Sequence, residues 1–426
     1  MKRIIIKPLT RVEGQCIIEI FADKKGSTKV RFSTLDFRGI EKVLIGKKFK
    51  DIPRLVPKIC GVCAAAHTVA SCQAIEKIFD IYPTNTAIQL RQLLMIGETI
   101  KSHALHFFFL ALPDLLKPFE NKNINDISRK MTLNAFKLIE IGKKVIETIG
   151  GRSVHPVTCV VGGMSKSLTE KDRVILQKIM KRGLPIVNWS LNELKRLFKS
   201  AESLSIYELS NPIFMGLQKD GAFNLNEGEI KVADKKKRTL ATFDAMNYDK
   251  FVEIINLESI KRSSLESVNL IVGPIARTHA ISEYGAYEVH EILNNFRGWE
   301  NNLLFSNILR LIEILACIFR GLLLLDSQET TEVQPLPIIN KIEREEGVSA
   351  VEAPRGTLLH YYHVNKDFIV DEVKIHTPSE INTPSIQASL NRICKDGFDE
   401  KRLELIKERS GLIVRSFDPC IPCVAL

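Results

Sequence analysis

The sequence lacks several signals that would assign the chain to a common functional class. Its 426 residues contain no internal repeat, no glycine-rich phosphate-binding loop and no dinucleotide-binding fingerprint, so we do not expect nucleotide binding. Its first residues do not resemble a secretory signal, and no uncharged stretch reaches the roughly 18 to 20 residues that a membrane-spanning helix needs. We therefore expect a cytoplasmic protein without a direct membrane span.

The composition excludes disorder for most of the chain but says little about partners. Hydrophobic residues make up 45% and charged residues 26% of the chain, which is typical of a folded protein. The formal net charge of +10 is thinly spread, and the basic run from Lys235 to Arg238 has no interleaved aromatic residues. We interpret that run as a surface loop and expect no nucleic-acid binding. The length would allow about three average domains, but we favour a single domain over 1–426.

The apolar periodicity predicts an α+β fold that is predominantly α, with a long-helix bundle core and a small N-terminal antiparallel β-sheet. Short alternating runs make 1–40 rich in β-structure, with a hairpin formed by Cys16–Phe21 and Thr28–Phe32. The core, 85–330, contains helical spacing, and 350–426 forms a C-terminal active-site part. The predicted long helices are Asn85–Leu112 (ended by Pro113), Ile124–Ile149, Glu170–Ala201 and the buried Leu303–Leu325.

Two CxxC pairs lie near opposite ends of the chain, Cys60 with Cys63 and Cys420 with Cys423. Two intervening residues let both thiolates of a pair reach one ion, and thiolate suits nickel, iron, zinc and copper(I). A zinc site is one interpretation, although zinc ribbons usually separate their pairs by about 15 to 20 residues, and here positions 63 and 420 are 357 apart. A redox disulfide is another, but the βαβ context of that motif is missing.

The segments around these cysteines extend the pattern over nearly the whole chain. Together they resemble the large subunit of nickel–iron hydrogenases, and most of all the cytosolic viologen-reducing archaeal type that works with heterodisulfide reductase. The segments are RVEGQ (11–15), FRGIEKVLIGK (37–47), VPKICGVCAAAH (56–67), SHALHFFFLALPD (102–114), GGRSVHPVT (150–158), GPIAR (273–277), RLIEILAC (310–317), EAPRGTLLHYY (352–362) and DPCIPC (418–423).

The resemblance implies a nickel–iron centre and a reaction with dihydrogen. By resemblance, Cys60 and Cys420 are terminal nickel ligands, and Cys63 and Cys423 bridge nickel to an iron that carries carbon monoxide and two cyanides. Dihydrogen is then cleaved heterolytically, and the Cys420 sulfur accepts the proton. The other cysteines lack iron–sulfur spacing, so the implied electron acceptor is an iron–sulfur small subunit, with further flavin or iron–sulfur subunits beyond it, heterodisulfide reductase among them.

Two further residues acquire roles from the same resemblance. Glu13 matches the carboxylate that takes the proton from the terminal cysteine, and burial would raise its pKa toward the range useful at neutral pH. The alternative is a structural ion pair between Glu13 and Arg11. His67 lies four residues after Cys63, so on a helix it can donate to the bridging thiolate. The alternative is a purely structural histidine.

The turn Ala-Pro-Arg-Gly places Pro354 and Arg355 in a fixed conformation, and the resemblance puts this arginine over the metals. Asp418 is its expected ion-pair partner, and the alternative is a structural salt bridge. By resemblance, Ser379 bonds the second cyanide.

The sequence departs from the family pattern at Gln15, where histidine is common, and at Leu426, where histidine or arginine is common. In many relatives the terminal histidine and a glutamate matching Glu41 hold Mg²⁺ or Fe²⁺. Either the ion is absent, or the carboxylate of Leu426 replaces the imidazole as a hard oxygen ligand. Two other functions stay open: a degenerate homologue acting as a structural or quinone-pocket subunit, and a zinc-stabilised protein without redox activity.

Overall fold

The structure is a computed structural model that describes residues 2–22, 28–35, 39–116, 122–198, 205–261, 269–333, 335–393 and 400–424. The strands are β1 (Lys2–Ile6), β2 (Cys16–Ala22), β3 (Thr28–Thr34), β4 (Cys159–Val160), β5 (Gly163–Met164), β6 (Pro212–Gln218), β7 (Glu229–Asp234), β8 (Thr239–Phe243), β9 (Asn269–Ile271), β10 (Glu346–Ala353), β11 (Gly356–Val364) and β12 (Val370–His376).

The helices carry most of the described residues. They are α1 (Ile40–Leu44), α2 (Ile52–Leu55), α3 (Ala64–Ile78), α4 (Asn85–Leu105), α5 (Leu112–Leu116), α6 (Lys122–Gly150), α7 (Glu170–Lys181), α8 (Gly183–Phe198), α9 (Tyr248–Lys261), α10 (Pro274–Ala280), α11 (Tyr287–Asn294), α12 (Phe305–Asp326), α13 (Pro378–Arg392) and α14 (Glu400–Phe417). The α+β fold with a predominantly helical core is confirmed.

The N-terminal sheet confirms the predicted hairpin. It has the order β1-β2-β3 with antiparallel pairing, and its buried face carries Ile18, Ile20, Val30 and Phe32. The side chain of Gln387 in α13 accepts a hydrogen bond from the Phe32 amide at 3.0 Å and donates to the Val30 carbonyl at 2.6 Å. The sheet is therefore attached to the C-terminal part of the chain.

The long helices pack on one another, with α4 against α6 and α12 against α4, α7 and α8. A Cβ atom at Gly142 in α6 would lie 2.5 Å from the Gly97 carbonyl oxygen in α4, so only glycine lets these two backbones come so close. The predicted buried helix near 303–325 is confirmed as α12. Among the described residues, no helix has the length and apolar character needed to cross a membrane.

Two helix predictions were wrong in detail. Pro113 does not end the helix, because α4 continues through a π-helical segment, His106–Ala111, into α5, which contains the proline. The helix predicted over Glu170–Ala201 is divided into α7 and α8 at Gly183, and its last residues, 199–201, lie outside the described residues.

The part predicted as a helical core also contains a sheet of order β8-β7-β6-β9, in which only β6 and β9 run parallel. A further antiparallel sheet, β10-β11-β12, belongs to the C-terminal part. Apolar residues of both sheets, among them Met215, Val232, Val348 and Leu359, share a second hydrophobic cluster. This cluster supports the β10–β11 hairpin, whose turn reaches the candidate site.

Candidate metal centre

The fold brings the two distant cysteine pairs together. The ligand atoms of Cys60, Cys63, Cys420 and Cys423 all lie within 4.8 Å of one another, and all four residues are buried. The sulfur of Cys420 is 3.3 Å from that of Cys60 and 2.8 Å from that of Cys423, and the Cys63 and Cys423 sulfurs are 3.5 Å apart. Within the described chain, these four residues form the one group of three or more potential ligands so arranged.

The first pair is fixed at the start of a buried helix. Cys63 is the N-cap of α3, and the Val62 amide donates to the Cys60 sulfur at 3.3 Å. The carboxylate of Glu98, from α4, accepts hydrogen bonds from the Ala65 and Ala66 amides at 2.6 and 3.0 Å. Glu98 therefore satisfies amides at the helix N-terminus, where a negative group is favoured. Burial raises the pKa of Glu98 to about 7, although the two amide hydrogen bonds oppose the shift.

The second pair is held against the N-terminal part of the chain. After α14 ends, Asp418 has φ 53°, which redirects the backbone. Cys420 forms an isolated parallel bridge with Glu13, and the Ile421 amide donates to the Glu13 carbonyl at 2.9 Å. The Cys420 amide donates to the Ser379 hydroxyl oxygen at 2.8 Å. Glu13 and Ser379 thus both lie beside Cys420, and Glu13 is half-buried.

The guanidinium of Arg11 donates hydrogen bonds to acceptors other than Glu13. Its Nη1 donates to the Leu110 carbonyl at 3.0 Å, and its Nη2 donates to the Asp114 carboxylate. A structural ion pair with Glu13 is therefore not needed to satisfy Arg11.

Arg355 lies at the tip of the β10–β11 hairpin, where Ala353 pairs with Gly356 across a two-residue turn. Gly356 has φ 133°, and a Cβ atom there would lie 2.5 Å from the Gly273 amide nitrogen, so the turn requires glycine. The Nε of Arg355 donates to the Asp418 carbonyl at 2.8 Å and its Nη2 to Asp418 Oδ1 at 3.0 Å. Its buried Nη1 has no hydrogen-bond partner among the described residues.

The buried environment shifts the pKa values of Arg355 and of three of the four cysteines in different directions. Burial opposes the charged form of Arg355, but Asp418 and the neighbouring cysteines outweigh it and raise the pKa of the guanidinium. Hydrogen bonds from Cys420, Cys423 and Cys63 lower the pKa of Cys60. Contacts with Cys420 first, and burial after them, raise the pKa of Cys63 and of Cys423. A cation fixed beside four crowded sulfurs favours thiolate at this position.

A second buried arginine supports the Arg355 turn from behind. Arg277, in α10, donates from Nη2 to the Pro354 carbonyl at 3.1 Å and from Nη1 to the Ala353 carbonyl at 3.2 Å. The same guanidinium contacts the carboxylates of Glu313 and Glu352, each at 2.6 Å. Sequence reasoning assigned no role to Arg277, Glu313 or Glu98. A charged residue inside an otherwise apolar helix is the sequence feature that could have indicated a buried role for them.

His67 belongs to a buried series of hydrogen bonds. Its Nδ1 is 3.0 Å from Nε2 of His360, whose Nδ1 is 2.8 Å from the Tyr362 hydroxyl oxygen. Burial, followed by the charges of Cys72 and Glu41, raises the pKa of Tyr362. The contact of His67 with the Cys63 sulfur stays a prediction. Glu41 lies in α1, and Leu426 lies outside the described residues, so the second predicted ion site also stays a prediction.

The donor set fits a soft transition metal. Four sulfurs converge in a buried space, which suits nickel, iron or zinc. The partnerless Arg355 Nη1 adds a buried hydrogen-bond donor beside them. A buried donor without a partner is costly, and an anionic or polar ligand on a bound metal would satisfy it.

Comparison with known proteins agrees with this donor set. The family model described as nickel-dependent hydrogenase matches residues 38–126. The vhu-type F420-non-reducing hydrogenase of Methanocaldococcus jannaschii contains a chain that is 30% identical over 413 residues, with 92% of this chain and 98% of that protein covered. The corresponding vhc-type chain of Methanococcus voltae is 28% identical, with 99% and 94% covered.

Solved structures show the same fold. The structure titled NAD⁺-reducing [NiFe]-hydrogenase in the H2-reduced state superposes with a TM-score of 0.89 at 24% identity and covers 100% of both chains. The Ni-Fe-Se hydrogenase of D. vulgaris Hildenborough gives a TM-score of 0.80 at 21% identity, with 99% of each chain covered. The chain therefore belongs to the nickel-dependent hydrogenase family, as a large subunit, and its enzyme class is that of oxidoreductases acting on dihydrogen.

Proposed function

We propose that this chain is the catalytic subunit of a nickel–iron hydrogenase that reversibly converts dihydrogen to protons and electrons. The observation that carries the proposal is the convergence of four buried cysteine sulfurs, from the two ends of the chain, within 4.8 Å. Retention of all four cysteines argues against a degenerate, non-catalytic homologue.

In this proposal, Cys60 and Cys420 would hold nickel, and Cys63 and Cys423 would hold both nickel and an iron that carries carbon monoxide and two cyanides. The bimetallic centre would supply the Lewis acidity and the redox couple for cleavage of the H–H bond. The Arg355 Nη1 would donate to one cyanide, which is supported by its lack of a partner among the described residues. Asp418 holds this guanidinium in place through the 3.0 Å contact.

Ser379 is the proposed donor to the second cyanide. Its hydroxyl oxygen accepts the Cys420 amide at 2.8 Å, so the hydroxyl hydrogen points away from that bond and can donate elsewhere. This arrangement also fixes the backbone of Cys420.

The proton released in the reaction passes, in our proposal, from the Cys420 sulfur to the Glu13 carboxylate. Two backbone contacts support this route, the Glu13–Cys420 bridge and the Ile421 amide bond to the Glu13 carbonyl. They keep the carboxylate-bearing residue next to the sulfur. His67 tunes the Cys63 sulfur, and its orientation is fixed by the His360 contact at 3.0 Å.

The proton route is tested with Glu13→Gln, which keeps the size of the side chain but removes its ability to accept a proton. We expect dihydrogen turnover to fall by about 10²-fold or more, the magnitude usual for a general acid–base group, with nickel and iron content unchanged. The control is Glu19→Gln, which changes a carboxylate on β2 that pairs with Arg3. Equal turnover in Glu13→Gln and the native protein would refute the route.

The metal assignment is tested by elemental analysis and infrared spectroscopy of the purified complex. We expect nickel and iron, with bands of metal-bound carbon monoxide and cyanide. Zinc without nickel or iron would support the zinc-stabilised alternative, since four thiolates also suit a structural zinc ion.

Electrons must leave through another protein, in our proposal an iron–sulfur small subunit. Outside the four-cysteine site, no metal-binding group of three or more ligands is found among the described residues, so the chain offers no described electron relay. We further propose a cytoplasmic complex with flavin or iron–sulfur subunits, heterodisulfide reductase among them, and Mg²⁺ or Fe²⁺ near Glu41 and Leu426. Co-purification of an iron–sulfur subunit tests the first of these partners.

A further inference from the structure

A second pair of cysteines lies outside the candidate metal centre. The sulfurs of Cys72, in α3, and Cys159, at the start of β4, are 3.7 Å apart although the residues are 87 positions apart in the sequence. Both residues are fully buried, and both are free cysteines. Neither cysteine belongs to the four-cysteine site.

A buried cation lies beside this pair. Arg91 Nη2 donates to the Val160 carbonyl at 2.9 Å and to the Gly163 carbonyl at 3.2 Å, so it contacts the residues that follow Cys159. Contact with the Cys72 thiol and the charge of Arg91 lower the pKa of Cys159, against the effect of burial. Burial, with the Cys159 contact, raises the pKa of Cys72. The two sulfurs therefore differ in acidity, and Cys159 loses its proton more readily than Cys72.

The surrounding contacts also restrain the separation of the two segments. Glu76, one turn after Cys72, accepts the Gly162 amide at 2.7 Å and both terminal nitrogens of Arg91. The α3 helix and the β4–β5 turn are therefore held together independently of the sulfurs. A small rotation of the side chains can close the remaining gap without separating these elements.

We propose that Cys72 and Cys159 are a peroxide-oxidisable dithiol that closes to a reversible disulfide. The Cys159 thiolate attacks hydrogen peroxide, which forms a sulfenic acid and releases hydroxide. The Cys72 thiol then attacks the sulfenic sulfur, so that the S–S bond forms and water leaves. Overall the two sulfurs lose two electrons and the peroxide gains them. Peroxide is the fitting oxidant because it is small, and because Glu76 and Arg91, which flank the pair, also line a cavity beside it.

The test is peptide mapping of the purified native complex after mild treatment with hydrogen peroxide. Trypsin should release 59–77 joined to 153–166, with a mass about 2 Da below the sum of the two thiol peptides, and dithiothreitol should separate them. Because 59–77 also contains Cys60 and Cys63, fragment spectra must assign the link to Cys72. We also expect the unfolding midpoint to rise by several degrees, since the link closes a long loop.

Cys317 is the matched internal control, because it is fully buried, burial raises its pKa, and no other described thiol contacts it. Its peptide should stay unmodified at the same peroxide dose. Cys72→Ala and Cys159→Ala should each abolish the cross-linked peptide. A link through Cys60 or Cys63, a sulfinic acid at Cys159 without a cross-link, or equal oxidation of Cys317 would overturn the proposal.

Discussion

Two buried arginines, Arg355 in the β10–β11 turn and Arg277 packed against that turn, have opposite hydrogen-bond patterns. Arg277 places its Nε, Nη1 and Nη2 on carboxylates and carbonyls, five contacts in all. Arg355 uses Nε and Nη2 on Asp418, and its Nη1 has no partner among the described residues. An arginine offers five donors. A fully satisfied guanidinium indicates a structural role, whereas an unsatisfied one beside four sulfurs indicates a ligand-facing role.

Arg277→Met should have the largest effect and should act on stability. The substitution leaves Glu313 and Glu352 buried without their cation, and breaking a buried ion pair typically costs about 3–5 kcal/mol. We expect a large fall in the unfolding midpoint, measured by thermal denaturation of the purified complex. Arg320→Met, which changes a half-buried arginine bonded to Gln92, is the matched control. An unchanged midpoint would show that the network is dispensable.

Arg355→Lys should differ from Arg277→Met, because it should lower dihydrogen turnover and not stability. Lysine keeps the charge but loses the planar set of donors, so we expect turnover to fall by about 10²–10³-fold, the effect of removing one aligned donor. The unfolding midpoint and the metal content should change little. A loss of stability as large as that of Arg277→Met, with turnover preserved in the folded fraction, would remove the distinction between the two arginines.

The smallest predicted effect is a pH dependence of stability in the Arg277 network. Burial opposes ionisation of Glu313, but Arg277 lowers the pKa of this carboxyl to about 2. The ionised carboxylate therefore adds to the free energy of unfolding, and this stabilisation is lost as the pH falls from about 4.5 through 2. His103 lies 2.7 Å from Glu313, and burial lowers the pKa of its imidazole to about 4. The fold therefore favours the neutral imidazole, and this stabilisation is lost as the pH falls from about 6.5 to 4.

Thermal unfolding at a series of pH values checks this window. His103→Gln should flatten the dependence between about pH 6.5 and 4 and leave the steeper loss at lower pH. A dependence equally steep in both proteins above pH 4 would contradict the assignment to His103.

The sequence predicted those features that depend on residues close to one another in the chain. The CxxC pairs, the Ala-Pro-Arg-Gly turn and the N-terminal hairpin could each be predicted from a few neighbouring residues. Glu98 could not, because its partners are backbone amides 32 and 33 positions away. The contact between His67 and His360 joins residues 293 positions apart and has no local signature.

The sheet of order β8-β7-β6-β9 was not predicted, for a related reason. Its strands are short, and most residues of β6 are buried rather than alternately buried and exposed. Buried strands form continuous apolar runs, which periodicity alone cannot separate from buried helix. Tertiary packing against the β10–β12 sheet decides their conformation.

The contact between Cys60 and Cys420 spans 360 positions, which has a consequence for biosynthesis. A ribosome that adds about 5–20 residues per second needs tens of seconds between the two cysteines. During that interval the nascent chain carries half a binding site, with two reactive thiols and no partners from the second pair. A metal that needs all four sulfurs can therefore be bound only after the second pair has been synthesised, close to the end of translation.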